Sequence, residues 1–322
     1  MPDKRALVTG GAGFVGSHLS EKLLENGYRV HAIDDLSTGS RDNVSHLGGD
    51  SRFQLTVDTI LNGDVMEKLV RESDIVFHLA AAVGVEYVIK NQLKSLEINI
   101  RGSEILFEHA GRLGTKVVLF STSEIYGKSD VVPFSEDADS ILGPTTLKRW
   151  SYAVTKALDE ILALAYHKER GLPVVIVRLF NTCGPRQTGR YGMVMPRFVK
   201  QALAGDPITV FGDGRQSRCF ASVFDVVDGI LALVDCDRAV GEIFNVGNNK
   251  ETRIIELAGR VKELTGSESP IEFVQYENAY GEGFEDMQRR VPDLRKIGEF
   301  VGYEPLIDLD GIINSVIDFE RR

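Results

Sequence analysis

Gly10, Gly13 and Gly16 recur at every third position in Thr9-Gly10-Gly11-Ala12-Gly13-Phe14-Val15-Gly16, and Gly11, Gly13 and Gly16 offer a second fit to the same kind of loop. Binding a pyrophosphate calls for glycine in such a place. The backbone must turn tightly, approach the phosphates, and let the following helix pack close to the preceding strand. A helix opening at Phe14 and Val15 presents free N–H groups and the positive end of its dipole to the same phosphates. Asp34, with Asp35 beside it, stands 18 residues beyond Gly16. A carboxylate at that distance accepts the ribose hydroxyls and repels a 2′-phosphate, so NAD is expected in preference to NADP. Asp64 and Val65 are placed to meet the adenine, with the N-cap of the next helix as the competing role for Asp64.

These residues require a strand before the glycines, a helix after them and a second strand ending at the acid. Apolar runs at 5–9, 29–34, 52–57, 74–79, 116–121 and 174–179 lack strict alternation, the pattern of parallel strands buried on both faces. Helical spacing fills 14–26, 65–71, 93–113 and 152–170, and Gly27, Gly114 and Gly171 supply stops. That order predicts an α/β fold, a doubly wound parallel sheet of the Rossmann type with right-handed crossovers. After Asn181 the texture changes to short elements punctuated by Gly184-Pro185, Asp206-Pro207, Gly212-Asp213-Gly214 and Ser269-Pro270. Residues 1–182 are therefore read as the nucleotide-binding domain, rejoined by a helix and a buried strand at about 223–247. Residues 183–222 and 248–322 are read as a smaller, discontinuous α+β domain for substrate.

The 322 residues suit one large domain or two unequal ones, at ~100–200 residues each. A hydrophobic share of 43% against 26% charged excludes a disordered chain. Lys plus Arg number 37 against 47 Asp plus Glu, and the net charge of −10 argues against nucleic-acid binding, which needs a basic face. Cys183, Cys219 and Cys236 form no Cys-x-x-Cys pair and the six histidines show no ligand spacing, so neither a disulfide framework nor a metal is expected. Glycines from Gly10 onward break the charged and apolar opening of the chain, and no 18-residue uncharged apolar run occurs. A soluble, cytoplasmic protein with no membrane partner is the expectation.

Tyr152 and Lys156 are four apart on one expected helix and so share a face. They follow the Ser121-Thr122-Ser123-Glu124 strand end by about 30 residues. Together with Thr9–Gly16, His78-Leu79-Ala80-Ala81, Asn99, Ser121–Gly127, Asn181, Gly184-Pro185-Arg186 and Arg218, the pair makes the chain resemble the extended short-chain dehydrogenase/reductase family that modifies nucleotide sugars. The resemblance runs over essentially the whole length. It implies an NAD-dependent enzyme acting on a nucleotide-diphosphate sugar, UDP-linked, through a shared first step. Tyr152, as phenolate, would take the proton of the sugar 4-hydroxyl while the C4 hydride goes to NAD. A free tyrosine titrates at ~10, so Lys156 and the nicotinamide charge would favour the anion, and Thr122 would hold the same oxygen. The resemblance also places Leu79, Ala80, Ala81 and Asn99 at the cofactor, and Ser123 and Asn181 at the substrate. It puts Phe211 at the uracil, with core packing as the competing role, and Arg218 and Arg290 at the diphosphate, which suits a guanidinium fork.

Members of the family diverge at the second step. Simple 4-epimerases commonly carry small or neutral residues around Glu124. Thr122-Ser123-Glu124-Ile125-Tyr126-Gly127 is more similar to UDP-glucuronate decarboxylases, UDP-apiose synthases and some 4,6-dehydratases. The best-known dehydratases place an Asp–Glu pair there, and Ser123 is a poor substitute for the acid. Arg149-Trp150-Ser151-Tyr152, Tyr280-Gly281-Glu282-Gly283-Phe284 and Arg290-Val291-Pro292-Asp293 resemble the apiose-synthase and aminoarabinose-pathway decarboxylase subgroup. Oxidising C4 of a glucuronate makes a β-keto acid, which loses its carboxylate readily. A UDP-glucuronate-type decarboxylase with Glu124 in the catalytic set is the first reading, and a UDP-sugar 4-epimerase in which Glu124 only orients a hydroxyl is the alternative. A 4,6-dehydratase and a non-catalytic NAD-binding sensor follow, although sensors typically lose the tyrosine or lysine. Apolar residues around helix 152–170, among them Val154, Leu158, Ile161 and Leu162, exceed the ~100° stripe that one sheet face covers. A homodimer is expected, with this helix and 93–113 of each copy forming a four-helix interface.

Overall fold

In β1 (Arg5–Thr9), Ala6, Leu7 and Val8 have almost no exposed surface, and β4 (Ile75–His78) is buried at all four residues. A strand without an exposed face has to lie inside a sheet covered on both sides. β2 (Arg29–Ile33), β3 (Phe53–Thr56), β5 (Lys116–Thr122), β6 (Val174–Leu179) and β11 (Ile243–Val246) complete that sheet, seven parallel strands in the order β11-β6-β5-β4-β1-β2-β3. The computed structural model describes residues 4–84, 91–189, 193–275 and 287–322; the stretch 280–284 lies outside them. The chain order reverses between β1 and β4, and a sheet of this kind takes its ligand in the crevice beyond the carboxyl ends of those strands.

Helices close both faces. Leu19 and Leu23 of α1 (Phe14–Glu25) pack with Val226 and Ile230 of α6 (Val223–Val234) over Val8, Phe77 and Val175. On the other face, α2 (Gly63–Arg71), α3 (Gln92–Leu113) and α4 (Ser151–Arg170) bring Leu69, Leu106, Phe107 and Ala163 onto Leu7, Val76 and Leu119. Gly114 and Gly171 end α3 and α4 in the left-handed conformation, as their positions in the sequence predict. The start of α2 differs from expectation. Asn62 is its N-cap and accepts from the Val65 N–H, while Asp64 sits exposed in the first turn. Leu106 of α3, a helix expected at the dimer interface, is fully buried against the sheet.

Three two-stranded pairs make the second region: β7 (Thr182–Cys183) with β10 (Ala221–Ser222), β9 (Ser217–Cys219) antiparallel to β12 (Glu251–Arg253), and β8 (Ile208–Phe211) with β13 (Ile271–Val274). α5 (Val194–Ala204), α7 (Ile254–Thr265) and α9 (Leu309–Glu320) enclose Phe198, Val210, Leu257 and Ile313. α8 (Arg295–Val301) returns to the large sheet, its Phe300 edge-on to Phe244 of β11. Among the described residues no helix is long and apolar enough to cross a membrane.

Candidate active site

The glycine loop follows β1 at the carboxyl edge of the sheet, with Gly10 N donating to Ile33 O at 2.8 Å and Gly13 N to Gly10 O at 3.1 Å. Gly10 has φ +70°, and a Cβ there would lie 3.0 Å from the Ala80 nitrogen. At Gly16 a Cβ would come within 2.2 Å of the Gly10 oxygen, so α1 packs this close only with glycine. Gly13 is the N-cap of α1 and supplies no side chain, leaving the first turn at Phe14 and Val15 uncapped by a side-chain oxygen. Asp34 is buried, its carboxylate accepting from Ala12 N at 3.0 Å and Leu36 N at 2.8 Å. Burial pushes its pKa up, opposed by the Leu36 and Ala12 N–H groups. Asp35 points outward and caps Ser37 N. A cradle that any side chain would fill, an uncapped helix start and a buried carboxylate at the end of β2 fit the pyrophosphate and ribose of NAD.

The opposite wall is strung from Thr9. Its carbonyl accepts from Leu79 N and its hydroxyl from Ala80 N, while His78 Nδ1 lies 2.9 Å from the same hydroxyl. Asn99, buried in α3, accepts from Ala82 N at 2.7 Å and donates to Thr155 Oγ1 at 3.1 Å, bracing the strip 80–82 against α4. Two positions beyond β3, at the carboxyl edge of the sheet, Asp58 accepts from Thr59 N and Asn62 Nδ2. Asp64 and Val65 lie further on, within α2.

Thr122 ends β5 and bonds both Glu124 N and the Tyr152 side chain. Tyr152 opens α4 and Lys156 follows one turn later, with its Nζ donating to Asp159 Oδ2 at 2.8 Å. Burial, then the charges of Glu124 and Asp159, push the Tyr152 phenol well above its ordinary pKa, with the Thr122 bond acting the other way. The helix thus brings together Thr122, Tyr152 and Lys156 beside the crevice.

Glu124 stands in the turn Ser123–Tyr126 between two guanidinium groups, Arg149 at 2.5 Å and Arg290 at 2.6 Å, with all three side chains at most 13% exposed. Burial alone would raise its pKa; the charges of Arg290 and then Arg149 hold it down at about 2. Arg149 is also stacked over Trp150, 5.2 Å from the ring centre. Arg290 arrives from the far end of the chain because its segment is tied to the loop after β5: Phe134 N donates to Val291 O, Asp293 N to Phe134 O, and Asn245 Nδ2 to Phe134 O. In the structure Arg290 lies on Glu124. Arg218 occupies the neighbouring position, donating to Ser217 O at 2.7 Å and to Gln288 O. Ser123 is buried beside Glu124 at 2% exposure, and Asn181 donates to Cys219 O. Phe211 ends β8 with the Arg197 guanidinium 3.8 Å from its ring centre. Arg149 carried a sequence signal, on the same short run as Tyr152; Asp159 did not stand out from solvated helix charge.

A tyrosine–lysine pair set over a dinucleotide crevice defines the class of nicotinamide-dependent short-chain oxidoreductases. The profile of the NAD dependent epimerase/dehydratase family matches residues 6–247, and the chain belongs to that family of NAD-dependent enzymes. It is 41% identical over 320 residues to the UDP-N-acetyl-alpha-D-glucosaminuronate decarboxylase of Bacillus cytotoxicus, covering 99% of this chain and 98% of that one. It is 38% identical to UDP-glucuronic acid decarboxylase 1 of Xenopus tropicalis, over 99% of this chain and 72% of that one. Its structure superimposes on UDP-glucuronic acid 4-epimerase from Bacillus cereus, solved with UDP-glucuronic acid and NAD, at a TM-score of 0.89 and 31% identity, covering 98% and 99% of the two chains.

Proposed function

We propose that this enzyme decarboxylates a UDP-linked hexuronate after oxidation at C4. The observation that carries the reading is the placement of two buried guanidinium groups, Arg149 and Arg290, on Glu124 in the turn after β5. Guanidinium forks suit carboxylates, and a uronate brings one on C6. When bound, NAD would supply a reversible hydride acceptor for C4. The glycine loop and the start of α1 hold its pyrophosphate, and Asp34 its ribose. Tyr152 takes the C4 hydroxyl proton, Thr122 shares that oxygen, and Lys156 favours the phenolate. A ketone at C4 is β to the C6 carboxylate, so the C5–C6 bond can break: carbon dioxide departs, the bonding pair is delocalised onto the C4 oxygen, and C5 then takes a proton from solvent. Arg290 and Arg149 orient the carboxylate beforehand, and Glu124 keeps them in place. Arg218 and Asn181 are assigned to the diphosphate and sugar, Ser123 to the sugar, and Phe211, under Arg197, to the base.

A 4-epimerase acting on a UDP-uronate is the second reading, favoured by the likeness to the Bacillus cereus enzyme. Mass spectrometry after incubation with NAD and UDP-glucuronate, and separately with UDP-N-acetylglucosaminuronate, decides between them. Loss of one carbon dioxide is expected; unchanged mass with altered retention would replace decarboxylation by epimerisation. The outward face of α4, with Val154 at 44%, Leu158 at 43% and Ile161 at 65% exposure, supports pairing with a second copy. Light scattering at micromolar concentration should then report a dimer, and a monomer would remove that part of the proposal.

A further inference from the structure

α4 carries a third polar side chain on the face that bears Tyr152 and Lys156. Asp159 follows Lys156 by three positions, and the 2.8 Å ion pair between them is 2% exposed on both sides. A pair this tight presents little net charge to anything beyond its own length. Yet the reaction above asks the Lys156 ammonium to favour an anion at Tyr152, one turn away on the same helix.

Each element packed around Tyr152 contributes a group. Thr122, from the end of β5, gives the phenol a hydrogen bond, and Glu124, from the turn after β5, gives it a negative charge. Arg149 and Arg290 offset Glu124 from two sides. His78 on β4 faces Lys156; burial first, and the ammonium second, pull its pKa down to about 3, so it stays neutral. On α4 itself stand Lys156 and Asp159. Glu124 is thus matched by two guanidinium groups, while Asp159 is matched by the one ammonium that Tyr152 needs.

We propose that Asp159 is a positioning residue for the proton-transfer step: it fixes Lys156 Nζ in a buried ion pair, offsets the ammonium by its own charge, and so sets the pH above which Tyr152 acts as a base. The inference rests on Tyr152 being that base and is independent of which sugar is bound. Asp159→Asn keeps an oxygen that can accept from Nζ and removes the charge. An anion at Tyr152 then costs less, so its titration should move to lower pH by about one unit, the size expected for one charge about 10 Å away at an effective dielectric near 20.

The measurement is an ultraviolet difference titration of NAD-loaded protein, with and without Asp159→Asn, each minus its Tyr152→Phe counterpart, so that only one phenol is read and no substrate is needed. Asp159→Glu keeps the charge and should keep the parent titration. In turnover, the acid limb of the kcat profile should move with the titration while KM stays put. An unmoved titration in folded Asp159→Asn, or a shift in Asp159→Glu as large as that in Asp159→Asn, overturns the proposal. If Asp159→Asn does not fold, Asp159→Ser carries the same test. A moved titration without turnover of any UDP-uronate leaves Asp159 its role and removes the substrate reading. Turnover with an unmoved titration does the reverse.

Discussion

The large sheet and the region built from 183–222 and 248–322 hold their functional groups by different means. On the sheet side the backbone does the holding: glycines admit close approach, strand ends fix Asp34 and Thr122, and Thr9 anchors the wall at Leu79 and Ala80. On the other side the functional groups are long arginine side chains, Arg218 and Arg290, on segments joined by two-stranded pairs and single hydrogen bonds. A backbone cradle changes little when side chains change, whereas guanidinium groups are redirected by one substitution. That division separates what the backbone holds from what long side chains hold.

The sharpest test of that division is Tyr152→Phe. It should lower turnover by about 10²–10⁴-fold, the span of general acid–base catalysis, while NAD affinity, measured by calorimetry, stays within a factor of a few. Loss of NAD binding in that variant would mean the two functions are not separable on the sheet side. Arg290→Leu should strike the other region. It removes one of the two guanidinium groups on buried Glu124 and leaves Arg149 in place, so stability should fall by about 1.5–3 kcal/mol, the size of a lost hydrogen bond to a charged group. Decarboxylation should fall as well, while NAD binding persists; unaltered decarboxylation would detach Arg290 from the substrate. Arg290→Lys should recover part of both losses.

The smallest effect separates the regions by pH. His78 is buried neutral in the sheet, with its pKa lowered from 6.5 to about 3. Its stabilisation is complete above 6.5 and is lost as pH falls from there toward 3, because unfolding then takes up a proton. Glu124, lowered from 4.5 to about 2, adds its own loss only once the pH falls below about 5. The Tm should therefore fall on acidification from pH 7 to 4, and His78→Asn should flatten the fall. An equally steep fall in the variant would move the acid sensitivity elsewhere.

The sheet was legible because β1, β6 and β11 are continuous apolar runs with no competing helical reading, and their bounds match the structure. The start of α2 was not, since Asn62-Gly63 reads as a turn and only the Asn62 side chain, reaching Val65 N, reveals the cap. Glu124 and Arg290 are individually conspicuous in the sequence, but their contact depends on Val291 and Asp293 bonding to Phe134 across the fold. Local pattern carries no information about a meeting of that kind. Asp159 was masked differently: on an amphipathic helix an acid three residues after a lysine reads as solvated charge, and only burial turns it into a partner.

The pairing of β11 with β6 bears on how the chain is made. β6 ends at Leu179, and its neighbour begins at Ile243, after the loop-rich excursion through β7–β10. During synthesis the first six strands are complete while the outer edge of β6, Val174 to Leu179, has open N–H and C=O groups and apolar side chains on both faces. That is the kind of edge that recruits a strand from another chain. Until Ile243–Val246 emerges, the nascent chain should be most prone to aggregate and most dependent on chaperones. Release of fragments ending near 182 and near 250 from stalled ribosomes would show it: the shorter should precipitate and the longer should not.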